Sequence, residues 1–217
     1  MTGKVNSENE EFWGRTAGRY DRLMSKVRYY DAMVSRIAGD VGNAERVLDV
    51  ATGTGRVALE LAGCSNRVDA VDISPQMIAQ ASEKAANLGV DNVRFSVQGA
   101  YDLSFPDGTF DAVTACNALH VMQRADLALA EMKRVLKPGG LLVAPTYCHG
   151  QTLIAHITSR LMSLTGFRAF RRFTYASYVL LIKHAGFKVE KLDIWPGAIP
   201  LAYVTARQTL AGQSVLV

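Results

Sequence analysis

The chain has little of what marks specialised folds. Its 217 residues include only three cysteines, Cys64, Cys116 and Cys148. They form no CxxC pair, which argues against a structural zinc site and a disulfide framework, so no metal centre is expected. No run reaches the ~20 consecutive apolar residues needed to span a bilayer. The first residues, MTGKVNSENEE, lack the apolar core of a secretory signal, and the expected location is cytoplasmic. A strong excess of one charge is also missing. The formal net charge is +4 with acids and bases largely interspersed, so no nucleic-acid partner is expected. Internal repeats and low-complexity linkers are absent. What remains, 49% hydrophobic and 20% charged residues, describes an ordinary globular chain. It is expected to fold as one domain over 1–217 with a substantial core.

Helix and strand patterns alternate through most of the length. RVLDVA (Arg46 to Ala51) reads as a buried strand, and a helix follows from about Gly55 to Ala62. RVDAVDI (Arg67 to Ile73) is a second strand. In SPQMIAQASEKAANLG, Ser74 is placed to cap a helix, Pro75 to open it and Gly89 to stop it. NVRFSVQ and FDAVTACNALHVM supply two more strands. ADLALAEMKRVLKPGG then reads as an amphipathic helix with a Pro-Gly-Gly exit, and LLVAPTY as a fifth strand. This order predicts an α/β fold, a doubly wound, mostly parallel Rossmann-like sheet. Residues 151–165 and Tyr175 to Gly186 form two further helical patterns. FKVEKLDIWPG and IPLAYVTARQ then predict an antiparallel hairpin at the sheet edge.

The chemistry is concentrated in DVATGTGRVALEL, residues Asp49 to Leu61. Glycines 53 and 55 let backbone approach a ligand, and the helix behind them points unpaired amides at it. Gly53, Gly55 and Ala58 also satisfy a loose GxGxxG/A dinucleotide pattern, with Asp72 near the expected ribose position. The loop by itself therefore leaves a nicotinamide and an adenosyl cofactor both open.

The neighbouring blocks separate the two. LDVATGTGR, VDISPQMI, LSFPDGTFDAVTACNALHVM and EMKRVLKPGGLLV, in this order, resemble the motifs of the class I S-adenosylmethionine-dependent methyltransferases. The likeness is strongest to the small-molecule branch that includes the ubiquinone/menaquinone C-methyltransferases. It covers about residues 46–146 and implies a seven-stranded sheet under a helical cap. The divisions are then a cap over 1–42, a cofactor core over 43–147, a helical insert or lid over 148–186 and final strands over 187–217. The implied cofactor is S-adenosyl-L-methionine, with S-adenosyl-L-homocysteine as product.

The resemblance also implies which residues hold that cofactor. Asp49, Ala51, Thr52, Gly53 and Gly55 form the loop that receives the methionyl end. Asp72 offers two oxygens to the ribose hydroxyls, with Ile73 and Met77 on the adenine face. Gly99, Ala100 and Tyr101 lie along the adenine, and Asn117 follows the fourth strand. FWGRTAGRYDRLM resembles the family's N-terminal helix, whose Tyr20-Asp21 step reaches over the cofactor. Two positions depart from the pattern. Ala51 replaces the first loop glycine, which is tolerable if its φ stays negative. Gly99 stands where relatives often carry an adenine-binding acid.

The methyl acceptor is expected to be a small molecule, of a hydrophobic, quinone-like or lipid kind. His120 is the candidate base, with a wall residue as the alternative. Tyr20, Tyr147 and His149 are the candidate acceptor contacts. In the insert, Leu153, Ile157, Leu161 and Leu164 share one helical stripe, and Arg160, Arg168, Arg171 and Arg172 accompany it. Three readings stay open: a lid over the acceptor, an interfacial helix making weak lipid contact through 151–173, or a core-facing helix with a solvated basic rim. A cofactor-binding protein without turnover and a nicotinamide-dependent reductase are the alternatives to a methyltransferase.

Overall fold

A computed structural model describes residues 3–25, 27, 29–164 and 166–209, with side chains from Phe12 onward. The outer ends of the expected 1–42 and 187–217 segments lie outside the described residues. The N-terminal part is helical, with α1 spanning Gly3–Met24 and α2 spanning Tyr30–Val41.

Strand β1 (Arg46–Val50) shows how the core is built. Successive side chains point to opposite faces of a sheet. Val47 therefore packs with Met33 and Ile37 of α2, while Leu48 and Val50 pack on the other face with Leu129 and Met132. The next elements are α3 (Arg56–Ala62), β2 (Arg67–Asp72), α4 (Pro75–Leu88), β3 (Val93–Val97) and β4 (Phe110–Thr114). The ends of α4 match the sequence signals. The Ser74 hydroxyl accepts from the Met77 N–H at 3.3 Å, Pro75 opens the helix, and Gly89 closes it at φ 66°.

Helix α5 (Ala125–Val135) runs straight into β5 (Leu136–Val143). The Pro-Gly-Gly segment is thus the start of a strand and not a separate exit. It is irregular: Phe110 faces Leu136, yet Ala112 faces Leu141, and Gly139 at φ 74° absorbs the extra residues. A two-residue strand β6 (Thr146–Tyr147) continues β5 in the same register along β8 (Leu201–Gln208). Val143 faces Thr205, and Thr146 faces Ala202. Pro145, which has no N–H to give to a ladder, separates the two pieces. Counted as one interrupted strand, β5 and β6 bring the sheet to the expected seven.

The strand order is β3-β2-β1-β4-β5-β8, parallel through β5, with β7 (Phe187–Trp195) outside β8. The hairpin forms, but its second strand lies inside the sheet. The residues explain this placement. Leu201 to Ala206 is buried at every position, as a strand covered on both faces must be. β7 instead exposes Lys188, Glu190 and Lys191, which suits an edge. Between β6 and β7 lie α6 (Leu153–Ser163) and α7 (Tyr175–His184). No helix among the described residues is long and apolar enough to cross a membrane.

Candidate active site

Strand order reverses beside β1, with β2 on one side and β4 on the other. A cleft opens there beyond the carboxyl ends of the strands, where such sheets bind ligands. The loop after β1 contributes Ala51 and Gly53, the end of β2 gives Asp72 and Ile73, and α4 gives Met77. The turn after β3 adds Ala100 and Tyr101, and the segment after β4 adds Asn117. Tyr20 of α1 forms the roof. A Cβ on Gly53 would stand 3.8 Å from the Tyr20 ring.

The roof is tied down by the residue next to it. Asp21 accepts from the Thr54 hydroxyl and pairs with Lys84, whose ammonium also donates to the Thr54 carbonyl at 3.0 Å. One helical position earlier, Tyr20 faces the cleft. Trp13 also lines it, two helical turns before Tyr20 and on the same face. That i, i+7 spacing is present in the sequence, where Trp13 was not singled out as a contact. Cys116, Ala118, Val121 and Met122 also line the cleft without having been singled out as contacts. The strand-end rule applied to the whole segment after β4 would have reached them.

Other expected contacts serve the site from behind. Gly55 is the N-cap of α3 at φ 82°, and a Cβ there would meet the Ala81 Cβ at 2.9 Å. Its glycine is required by packing. Gly99 does not line the cleft. Asp49 and Thr52 are buried beneath the loop. The condition set for Ala51 fails: its φ is +56°, in the left-handed region, where a Cβ costs about 1 kcal/mol.

The two carboxylates differ. Asp72 accepts from the Gly53 N–H at 2.8 Å and from the Ser74 N–H at 2.9 Å, one on each oxygen. Neither oxygen is wholly free for a ribose, but each keeps acceptor capacity. Burial raises its pKa, and these amide bonds oppose the rise. Asp49 accepts from the Thr114 hydroxyl at 2.6 Å, while its other oxygen is buried without a partner. Burial pushes its pKa up to about 6. Asn117 is held at φ 54°, and both polar atoms of its amide are buried and unpartnered at the cleft wall. Such groups cost free energy unless a ligand or water meets them.

His120 lies in a single 3-10 turn, Leu119–Val121, just past β4. It does not line the cleft. Its Nδ1 is 3.0 Å from the Thr146 hydroxyl, and its ring stacks on His149 at 5.0 Å between centroids. His149 stacks in turn on Phe167, and Phe167 meets Trp13 edge-on at 6.5 Å. Burial drives the His120 pKa well below 6.5 and that of His149 down to about 4, Arg172 adding to the latter. Both rings are therefore neutral at physiological pH. Neither nitrogen of His149 has a partner.

Tyr147 lines a second cavity of about 300 Å³ between the start of α2 and the β7–β8 turn. Its walls are apolar and aromatic, including Tyr29, Tyr30, Met33 and Trp195. Only a thin wall separates the cavities, because Met33 Sδ lies 4.0 Å from Cys116 Sγ of the first cleft.

Comparison with known proteins bears directly on this cleft. Residues 47–140 match the model of a family described as "Methyltransferase domain". This part of the chain is similar to a methyltransferase domain. The cofactor it implies is S-adenosyl-L-methionine, and Asn117, Asp72 and the Gly53 turn provide polar groups of the kind that cofactor needs. The chain resembles the ubiquinone/menaquinone biosynthesis C-methyltransferase UbiE of Agrobacterium fabrum, at 37% identity over 152 residues. The match covers 65% of this chain and 58% of that protein, so the chain spans under two thirds of its relative's length. Among solved structures, a putative methyltransferase from Bacillus halodurans superposes with TM-score 0.72 at 21% identity, covering 82% of this chain and 98% of that one. The cyclase SpnF superposes with TM-score 0.68 at 22% identity, covering 82% and 80%. At this low identity the two show a shared fold, a mostly parallel sheet flanked by helices.

Proposed function

We propose that the protein transfers a methyl group from S-adenosyl-L-methionine to a small hydrophobic acceptor of quinone-like character. The observation that carries the reading is the Asn117 amide, unpartnered at the wall of a cleft that Asp72 and Gly53 also line. In this reading Asp72 binds the ribose hydroxyls with its remaining lone pairs. The Gly53 turn and Asn117 receive the polar end, and Asp49 orients the loop and balances an ammonium through its open oxygen. Ile73, Met77, Ala100 and Tyr101 hold the base. When bound, the cofactor supplies an electrophilic sulfonium methyl.

The chain's own part is alignment and exclusion of water, the main requirements of an in-line displacement. Tyr20 and Trp13 close the cleft from above. The second, aromatic cavity is the assigned acceptor site, with Tyr147 on its wall. Its proximity to Cys116 and the aromatic character of its walls support this, as does the name of the Agrobacterium relative. His120 and His149 are assigned to positioning. Their stack holds Phe167 under Trp13, and the neutral, enclosed His120 is not assigned as the base.

Calorimetry with S-adenosyl-L-methionine, S-adenosyl-L-homocysteine and NADH tests the cofactor. Binding of the first two at micromolar order, with no NADH binding, is the expected result. Labelled methyl transfer into a lipid-soluble extract tests turnover. Binding without incorporation into any acceptor would leave a cofactor-binding protein, and NADH binding alone would overturn the reading.

A further inference from the structure

Helix α6 is turned inside out relative to an ordinary surface helix. Its inward face carries Ala155 and Ser159, exposed by 0% and 2%. Its outward face carries Leu153, Ile154, Ile157, Leu161 and Leu164, exposed by 51% to 83%. The spacing of Leu153, Ile157, Leu161 and Leu164 makes this one continuous stripe. Core-facing packing, one of the readings left open by the sequence, is therefore not what α6 does. Water in contact with five large aliphatic side chains on eleven residues of helix and its C-cap is costly, and a patch of this kind marks an interaction surface.

Charge indicates what meets it. From residue 132 to residue 189 the sequence contains no Asp or Glu, while Lys and Arg number nine. Arg160, Arg168, Arg171 and Arg172 are all exposed. An apolar stripe in an acid-free, arginine-bearing segment is complementary to a surface that is apolar within and anionic at its rim. We infer that α6 and the 166–173 loop dock on an anionic lipid bilayer. The aliphatic residues enter the acyl boundary and the guanidinium groups of Arg160 and Arg172 lie among the headgroups, while Arg171 pairs with Asp126 at 3.7 Å on the body of the protein.

Docking there connects to the rest of the molecule. Phe167, at the start of the 166–173 loop, packs against Phe12 and Trp13 of α1, and Trp13 lines the first cleft. The bilayer-facing segment thus adjoins the roof of the cleft, a useful arrangement for an acceptor dissolved in lipid. The inference does not depend on methyl transfer, and its test reads membrane binding alone.

The test is co-sedimentation of the full chain with phosphatidylcholine vesicles, with and without roughly 30% phosphatidylglycerol, at low and high salt. The expected result is binding to the anionic vesicles that weakens with salt. Leu153→Ser combined with Ile157→Ser and Leu161→Ser is expected to lower partitioning roughly tenfold or more. Arg160→Gln with Arg172→Gln should also lower it, but only on anionic vesicles. All these side chains are exposed, so circular dichroism and S-adenosyl-L-homocysteine affinity should be unchanged in both variants. Failure to sediment with anionic vesicles would overturn the inference, as would equal binding to neutral ones. Self-association of the wild-type chain that the triple substitution abolishes would assign the stripe to a second copy instead.

Discussion

The cofactor core and the segment after β6 treat apolar residues in opposite ways. In the core, Leu48, Val50, Val71 and Leu129 are completely buried, and the polar groups lie at the strand ends. In α6 the small residues are inside and the large aliphatics outside. A sheet covered by helices on both faces leaves its side chains no other way to point, so hydrophobic pattern and burial coincide. A helix attached by one narrow face can satisfy its local pattern with either face outward. The stripe itself does not say which.

The same two regions should titrate with opposite signs, and this provides the largest expected effects. Asp49 in the core has a pKa raised to about 6. Its ionisation therefore opposes folding, and the unliganded protein should lose stability as pH rises from about 4 to above 6. Asp49→Asn is expected to raise stability at pH 7.5 by up to about 3 kcal/mol, with the gain vanishing near pH 4. His149, in the segment after β6, has its pKa lowered to about 4. Its contribution is present above its ordinary pKa near 6.5 and is lost as pH falls toward 4. His149→Phe should therefore stabilise by up to about 3 kcal/mol at pH 4 and do little at pH 7.5. Urea midpoints for both variants at the two pH values check the pair. Shifts of the same sign would show that the core and the segment after β6 do not differ in this way.

A slightly smaller effect separates the regions by ligand binding. Asp72→Ala should weaken S-adenosyl-L-homocysteine binding by about 1.5–3 kcal/mol, the range for hydrogen bonds to a charged group. Phe167→Ala in the segment after β6 should change that affinity much less while lowering acceptor turnover. Calorimetry beside a methyl-transfer assay reads both quantities, and equal losses of affinity would remove the division of labour.

The smallest expected effect lies within the core. Ala51→Gly should stabilise the fold by about 1 kcal/mol, because glycine accepts the positive φ that alanine resists. A melting temperature that is unchanged or lower would show that the loop relaxes around the alanine.

The alternation of strands and helices, the α4 caps and the Asp72 and Gly53 positions were legible because local signals and tertiary demand agree. Ser74, Pro75 and Gly89 set helix ends through backbone geometry that is independent of the rest of the molecule. Trp13 in the cleft, and His120 outside it, were not legible as such. Each sits where sequence distance says little: Trp13 reaches the cleft only because α1 is clasped to the loop through Asp21, and His120 turns to Thr146 rather than to the cleft. The same holds for β8, whose place between β5 and β7 rests on burial of both its faces.

By itself the sequence determined the alternating elements, the glycine turn after β1 and the carboxylate that ends β2, since these follow from periodicity and backbone preference over a few neighbouring residues. Only the tertiary structure decided the sign of φ at Ala51, the enclosure of the two histidines and the outward turn of the α6 stripe. Each of those depends on which surface packs against which, a balance of burial and unpaired polar groups summed over residues far apart in the chain.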